Sequence, residues 1–135
     1  MTSKIVYKGN LRTEMIHNQS GSSVETDAPI DNQGNGERFS PTDLVASALG
    51  SCMLTIMGIA SNTHEIQIEG TEVEVNKVMH SSPRRIGEIS IKMTIKGQDQ
   101  YTEKQKTILE HAAITCPVYL SLSEDVKKIV EFVWP

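Results

Sequence analysis

Two side chains in this sequence of 135 residues could form and break covalent bonds by themselves, the thiols of Cys52 and Cys116. Cys52 lies in "SALGSCMLTIMGIASNT", residues 47–63, a stretch almost entirely apolar or small. Free cysteine is among the most buried residue types, so inert packing is its ordinary role. A thiol reacts as the thiolate, and an unperturbed thiol, with a pKa of about 8.5, is only a few per cent ionised at pH 7. Apolar surroundings reduce that fraction further by penalising the charge. A helix dipole gives little help about three turns from the N-terminus, because its effect fades within the first turn. A reactive sulfur here therefore needs a nearby cation. Arg38, just ahead of the segment that carries Cys52, is the best-placed candidate, and Arg12 is the second.

Other chemistries find little support. His17, His64, His80 and His111 combine with the cysteines in no C-x-x-C or H-x-x-x-H spacing, so neither a metal nor another cofactor is expected. No nucleophile elbow, P-loop or dinucleotide fingerprint is present. A net charge of −4, with basic residues gathered only in the pairs Arg84-Arg85 and Lys127-Lys128, argues against nucleic-acid and anionic-membrane partners. The opening "MTSKIVYKGN" is polar and has no signal-peptide core behind it. The apolar run 44–60 is short and is interrupted by Ser47, Gly50, Ser51, Thr55 and Gly58, which disfavours a membrane span. A cytoplasmic protein is expected, where thiols stay reduced and two cysteines are not a disulfide framework. The length suits one domain over 1–135, and a hydrophobic fraction of 38% leaves room for a partner subunit to supply burial.

The elements that must position the thiols follow from periodicity. Residues 3–8 and 11–17 alternate around Gly9-Asn10, a hairpin signal, and a third strand is expected over 23–26. A long Gly/Asn/Asp-rich loop, 27–39, then leads to "SPTD". Ser40 as cap, Pro41 at the first helical position and Asp43 as the capping-box partner start a helix running to about Asn62. In this reading Asp43 is a cap. Leu44, Val45, Leu49, Met53, Leu54, Ile56, Met57 and Ile59 surround that helix, which is expected to be buried all round. Ala46, Ala48, Gly50 and Ser51 leave room for another backbone to approach.

"TEVEVNKVM" and "EISIKMTIK" alternate as an antiparallel pair, the second with Ile89, Ile91, Met93 and Ile95 on one face. "TEKQKTILEHAAIT" is a second helix with Thr102 and Gln105 as a capping box. Its apolar stripe of Ile108, Leu109, Ala112 and Ala113 continues to Cys116, and Pro117 forces a kink or restart. "VKKIVEFVWP" closes the chain as a strand. The result is an α+β domain of order β-β-β-α-β-β-α-β, with antiparallel sheet around two central helices that each carry one cysteine.

"RFSPTDLVASALGSCM" and "AAITCPVYLSLSEDV", in this order and separated by a strand pair, resemble the OsmC/Ohr family of thiol-dependent peroxidases, and the resemblance covers nearly the whole chain. It implies an intertwined homodimer with two active sites at the interface and an antioxidant role in stress response. It also implies an organic hydroperoxide as substrate and an external thiol or dithiol as reductant. Carried over, Cys52 is the peroxidatic thiolate, Cys116 the thiol that closes a disulfide with it, and Arg38 the activating cation. The family usually has glutamate directly after the helix-starting proline. Here that position is Thr42, and Asp43 is the acid that could substitute with a shorter reach. Leu49, Met53 and Ile56 would give the pocket an apolar wall that favours organic peroxides. A non-catalytic homodimer binding a small ligand in the same cleft, and a purely structural dimer, are the competing readings.

Overall fold

The computed structural model describes residues 1–135 throughout, and contacts along the chain gather into two compact units, Met1–Val45 and Ala46–Pro135. In the first unit, β1 (Ser3–Gly9), β2 (Arg12–His17) and β3 (Ser23–Asp27) form an antiparallel sheet in the order β1-β2-β3. The tight β1–β2 connection carries Gly9, Asn10 and Leu11 at positive φ, so the turn sits one residue later than Gly9-Asn10 alone suggests. The loop after β3 contains one 3-10 turn, Ile30–Asn32, and leads to α1 (Pro41–His64). Ser40 starts that helix as expected. Its N–H donates to Asp43 Oδ2 at 2.9 Å, and the Asp43 N–H donates to Ser40 Oγ at 3.1 Å.

The second unit contains most of α1, then β4 (Glu72–His80), β5 (Arg85–Thr94), α2 (Glu103–Ile114), α3 (Pro117–Ser121) and β6 (Lys127–Val133). β4 and β5 pair antiparallel, whereas β6 lies parallel to β5 on its other edge. The sheet is therefore mixed, which corrects the all-antiparallel expectation. The connection from β5 through two helices is a crossover, and it returns the chain to the same end of the sheet. The alternation of β5 holds: Ile89, Ile91 and Met93, and Ile95 beyond the strand end, are buried, and they pack with Leu49, Met53, Met57, Leu109 and Ala113 in one core. Thr102 and Gln105 form the expected capping box of α2.

The helix α1 is not buried all round. Its covered residues, Ala46, Leu49, Gly50, Met53, Met57 and Ser61, fall on one face at helical spacing, with Leu49 and Gly50 adjacent, while Val45 and Ile59 are exposed. At 24 residues it is longer than the apolar run in its sequence and could cross a membrane on length and composition alone. In this fold its stripe belongs to the protein core. The periodic stripe, not total apolarity, decides which side the sheet covers.

Candidate active site

Cys116 stands at the joint between α2 and α3. The stripe of α2 carries Leu109, Ala112 and Ala113 into the core and continues to Cys116, which is fully buried. Pro117 has no N–H, so α2 ends and α3 begins afresh with Pro117 in its first turn and Cys116, extended at φ −66° and ψ 148°, as its N-cap. The Tyr119 N–H donates to Cys116 Sγ at 3.4 Å. Sequence reasoning identified the break but missed this contact. The proline at N1 was the available signal, because a cysteine directly before such a proline falls at the N-cap, where side chains accept amide protons.

Cys52, on α1, is half-buried and packs against the same core. The two thiols are neighbours: the Cys52 sulfur lies near enough to act on the Cys116 thiol. Burial pushes the Cys116 thiol above its ordinary range. The Tyr119 N–H pulls the other way, and the neighbouring Cys52 sulfur adds to the rise. Cys116 is therefore held protonated beside a second sulfur that reaches the surface. Both thiols are free, and loss of two electrons would join them.

Gly50 lets β4 lie close on α1. A Cβ there would come 3.0 Å from Val73 Cγ1 and 3.1 Å from Val75 Cγ2. The close neighbours at this small residue are the valine side chains of β4, where the sequence pattern predicts another backbone. The groove between α1 and β4, about 410 Å³, is lined by Ser47, Gly50, Ser51, Leu54, Thr55, Val73 and Val75. Of the residues expected to wall a pocket, Leu49 and Met53 are wholly buried in the core and Ile56 is half-buried against it, so none of the three lines this groove.

In the first unit Arg38 is exposed, with its Nε donating to Glu25 Oε2 at 2.9 Å and its Nη1 to the Glu37 carbonyl at 3.0 Å. Arg12 is engaged differently. Its Nε and Nη2 donate to the two carboxylate oxygens of buried Asp27 at 2.7 and 2.8 Å, and Nη2 also reaches Glu37 Oε2 at 2.9 Å. That bidentate pair holds the Asp27 carboxyl below the usual carboxylate range. The Glu37 N–H donates to the same carboxylate, so the loop before Arg38 is tied at both ends. Glu25 and Asp27, the partners of the two arginines, were not singled out by sequence. Asp43 stands where the cap requires it, within a groove of about 790 Å³ that Glu25, Arg38 and Phe39 also line. No group of three or more His, Cys, Asp or Glu side chains is assembled for a metal ion.

Two three-stranded sheets, a long core helix and a neighbouring pair of free thiols define an α+β dithiol protein. The chain belongs to the OsmC family: a family model described as OsmC-like protein matches residues 34–131. A candidate osmotic stress induced and detoxification response protein from Psychrobacter arcticus is 48% identical, with a TM-score of 0.93 over 98% of this chain and 95% of that one. An organic hydroperoxide resistance protein OsmC from Legionella pneumophila shares the fold at 14% identity and a TM-score of 0.76, over 98% and 97% of the two chains. So does an organic hydroperoxide resistance protein from Elizabethkingia anophelis, at 15% identity and a TM-score of 0.76, over 100% and 97%. No curated protein matches the chain.

Proposed function

We propose that this protein is a thiol-dependent peroxidase that reduces organic hydroperoxides. The observation that carries this reading is the pair of neighbouring free thiols packed on one core, half-buried Cys52 and buried Cys116. The Cys52 thiolate attacks a peroxide oxygen, the O–O bond breaks, and the alkoxide leaves as an alcohol after taking a proton. Cys52 is now a sulfenic acid. The Cys116 sulfur displaces its hydroxyl, which leaves as water with the Cys116 proton, and a disulfide closes. An external thiol returns the two electrons, and no other cofactor takes part. Arg38 supplies the cation that favours thiolate and departing oxygen, and Asp43 caps the helix that carries Cys52. Leu49, Met53 and Ile56 belong to the apolar core against which Cys52 packs. The working form is a homodimer in the cytoplasm, acting in stress response.

Reduced protein mixed with cumene hydroperoxide tests the proposal by thiol count. Both thiols are expected to disappear as peroxide is consumed, Cys52→Ser to abolish consumption, and Cys116→Ser to leave a sulfenic acid that dimedone traps. Peroxide consumption by Cys52→Ser equal to that of the parent overturns the proposal, and thiols that survive the peroxide favour ligand binding without catalysis.

A further inference from the structure

We propose that Cys52 is the only sulfur through which molecules from solution enter the cycle. The external thiol that reopens the disulfide attacks Cys52, and Cys116 departs toward the Tyr119 amide. The inference rests on the disulfide of the proposed peroxidase and adds the direction of its reduction.

Access carries the argument. Displacement at a disulfide needs the incoming sulfur to approach the attacked sulfur opposite the one that leaves, so exposure decides which end is struck. Cys116 has 0% of its surface open to solvent and is packed among the core residues, whereas Cys52 reaches the surface. The joint that holds Cys116 also provides for its departure. Its backbone is fixed by the cap of α3, and the Tyr119 N–H points at its sulfur at 3.4 Å, where a leaving thiolate would place its electron pair.

The step balances. The external thiolate bonds to Cys52 Sγ, the Cys52–Cys116 bond breaks, and its electron pair stays on Cys116 Sγ, which then takes up a proton. A second external thiol displaces Cys52 from the mixed disulfide, leaving two protein thiols and one small disulfide. Burial by itself disfavours Cys116 as a leaving group, because it raises that thiol above its ordinary range. Access overrides it.

The test forms the disulfide with diamide, so that no peroxide is involved. Glutathione is added, the reaction is quenched in acid at short times, and adducts are located by peptide mass spectrometry. Glutathione is expected on the Cys52 peptide with Cys116 as the free thiol, and an adduct on Cys116 overturns the inference while leaving the peroxidase reading intact. Failure of diamide to join the two cysteines instead overturns the peroxidase reading. Where no adduct accumulates, the single variants decide. Cys52 in Cys116→Ala is expected to react with Ellman's reagent on the order of 100-fold faster than Cys116 in Cys52→Ala, because access limits the buried thiol. Equal rates overturn the inference.

Discussion

Arg12 grips Asp27 with two hydrogen bonds of 2.7 and 2.8 Å, one to each carboxylate oxygen, and the carboxylate it holds is buried. The pair joins β2 to β3 at a directly opposed position, Arg12 facing Asp27 across the ladder. Through the Glu37 N–H it also fixes the far end of the loop that follows β3.

Acid should therefore release this clamp. The Arg12 hydrogen bonds lower the folded-state pKa of Asp27, so its stabilisation is fully present above the unfolded carboxylate pKa of about 4 and is lost as pH falls through the folded value. Asp27→Asn is expected to melt below the parent at pH 7, with the difference disappearing in strongly acidic solution. Thermal melts across pH check this, and a constant gap would contradict it.

Arg38→Ala is expected to lower the rate of peroxide consumption by about 10²-fold, the usual consequence of removing one donor that stabilises developing negative charge. Its effect on stability should be small, since the Arg38–Glu25 pair leaves 44% and 38% of the two side chains exposed, and such pairs contribute at most about 1 kcal/mol. Stopped-flow rates together with melts distinguish this outcome from simple unfolding. Glu25→Gln, which removes the charge that pairs with Arg38, should preserve turnover.

Gly50 and Gly58 occupy one helix in different surroundings. A valine at Gly50 would press into Val73 and Val75, and Gly50→Val is expected to cost about 1–3 kcal/mol. A methyl at Gly58 meets nothing within 4 Å, so Gly58→Ala should gain up to about 1 kcal/mol of helix stability. Chemical denaturation of both variants reads the two signs.

The second unit exposes Ile59, Ile114 and Leu120 at 58%, 41% and 70%. If a second subunit covers Ile59, the parent should migrate near twice its 14.9 kDa chain mass, and Ile59→Asp should shift it toward the monomer. Sedimentation velocity measures both. A parent that sediments as a monomer would remove the dimer from the proposal.

Local pattern made much of this architecture legible. Alternation marked β5, the pairs Ser40/Asp43 and Thr102/Gln105 marked two helix starts, and the stripe of α2 pointed Cys116 inward. These signals lie within a few residues of each other, and short-range sterics and hydrogen bonding suffice to set them. The sequence also marked the two thiols as the chemistry worth following. Tertiary structure alone decided the rest. It set β6 parallel to β5, covered one stripe of an almost uniformly apolar α1, gave Arg12 to Asp27, and brought together two sulfurs 64 positions apart. Each of those outcomes depends on which distant surfaces bury one another, and a local period of two or 3.6 residues carries no record of that choice.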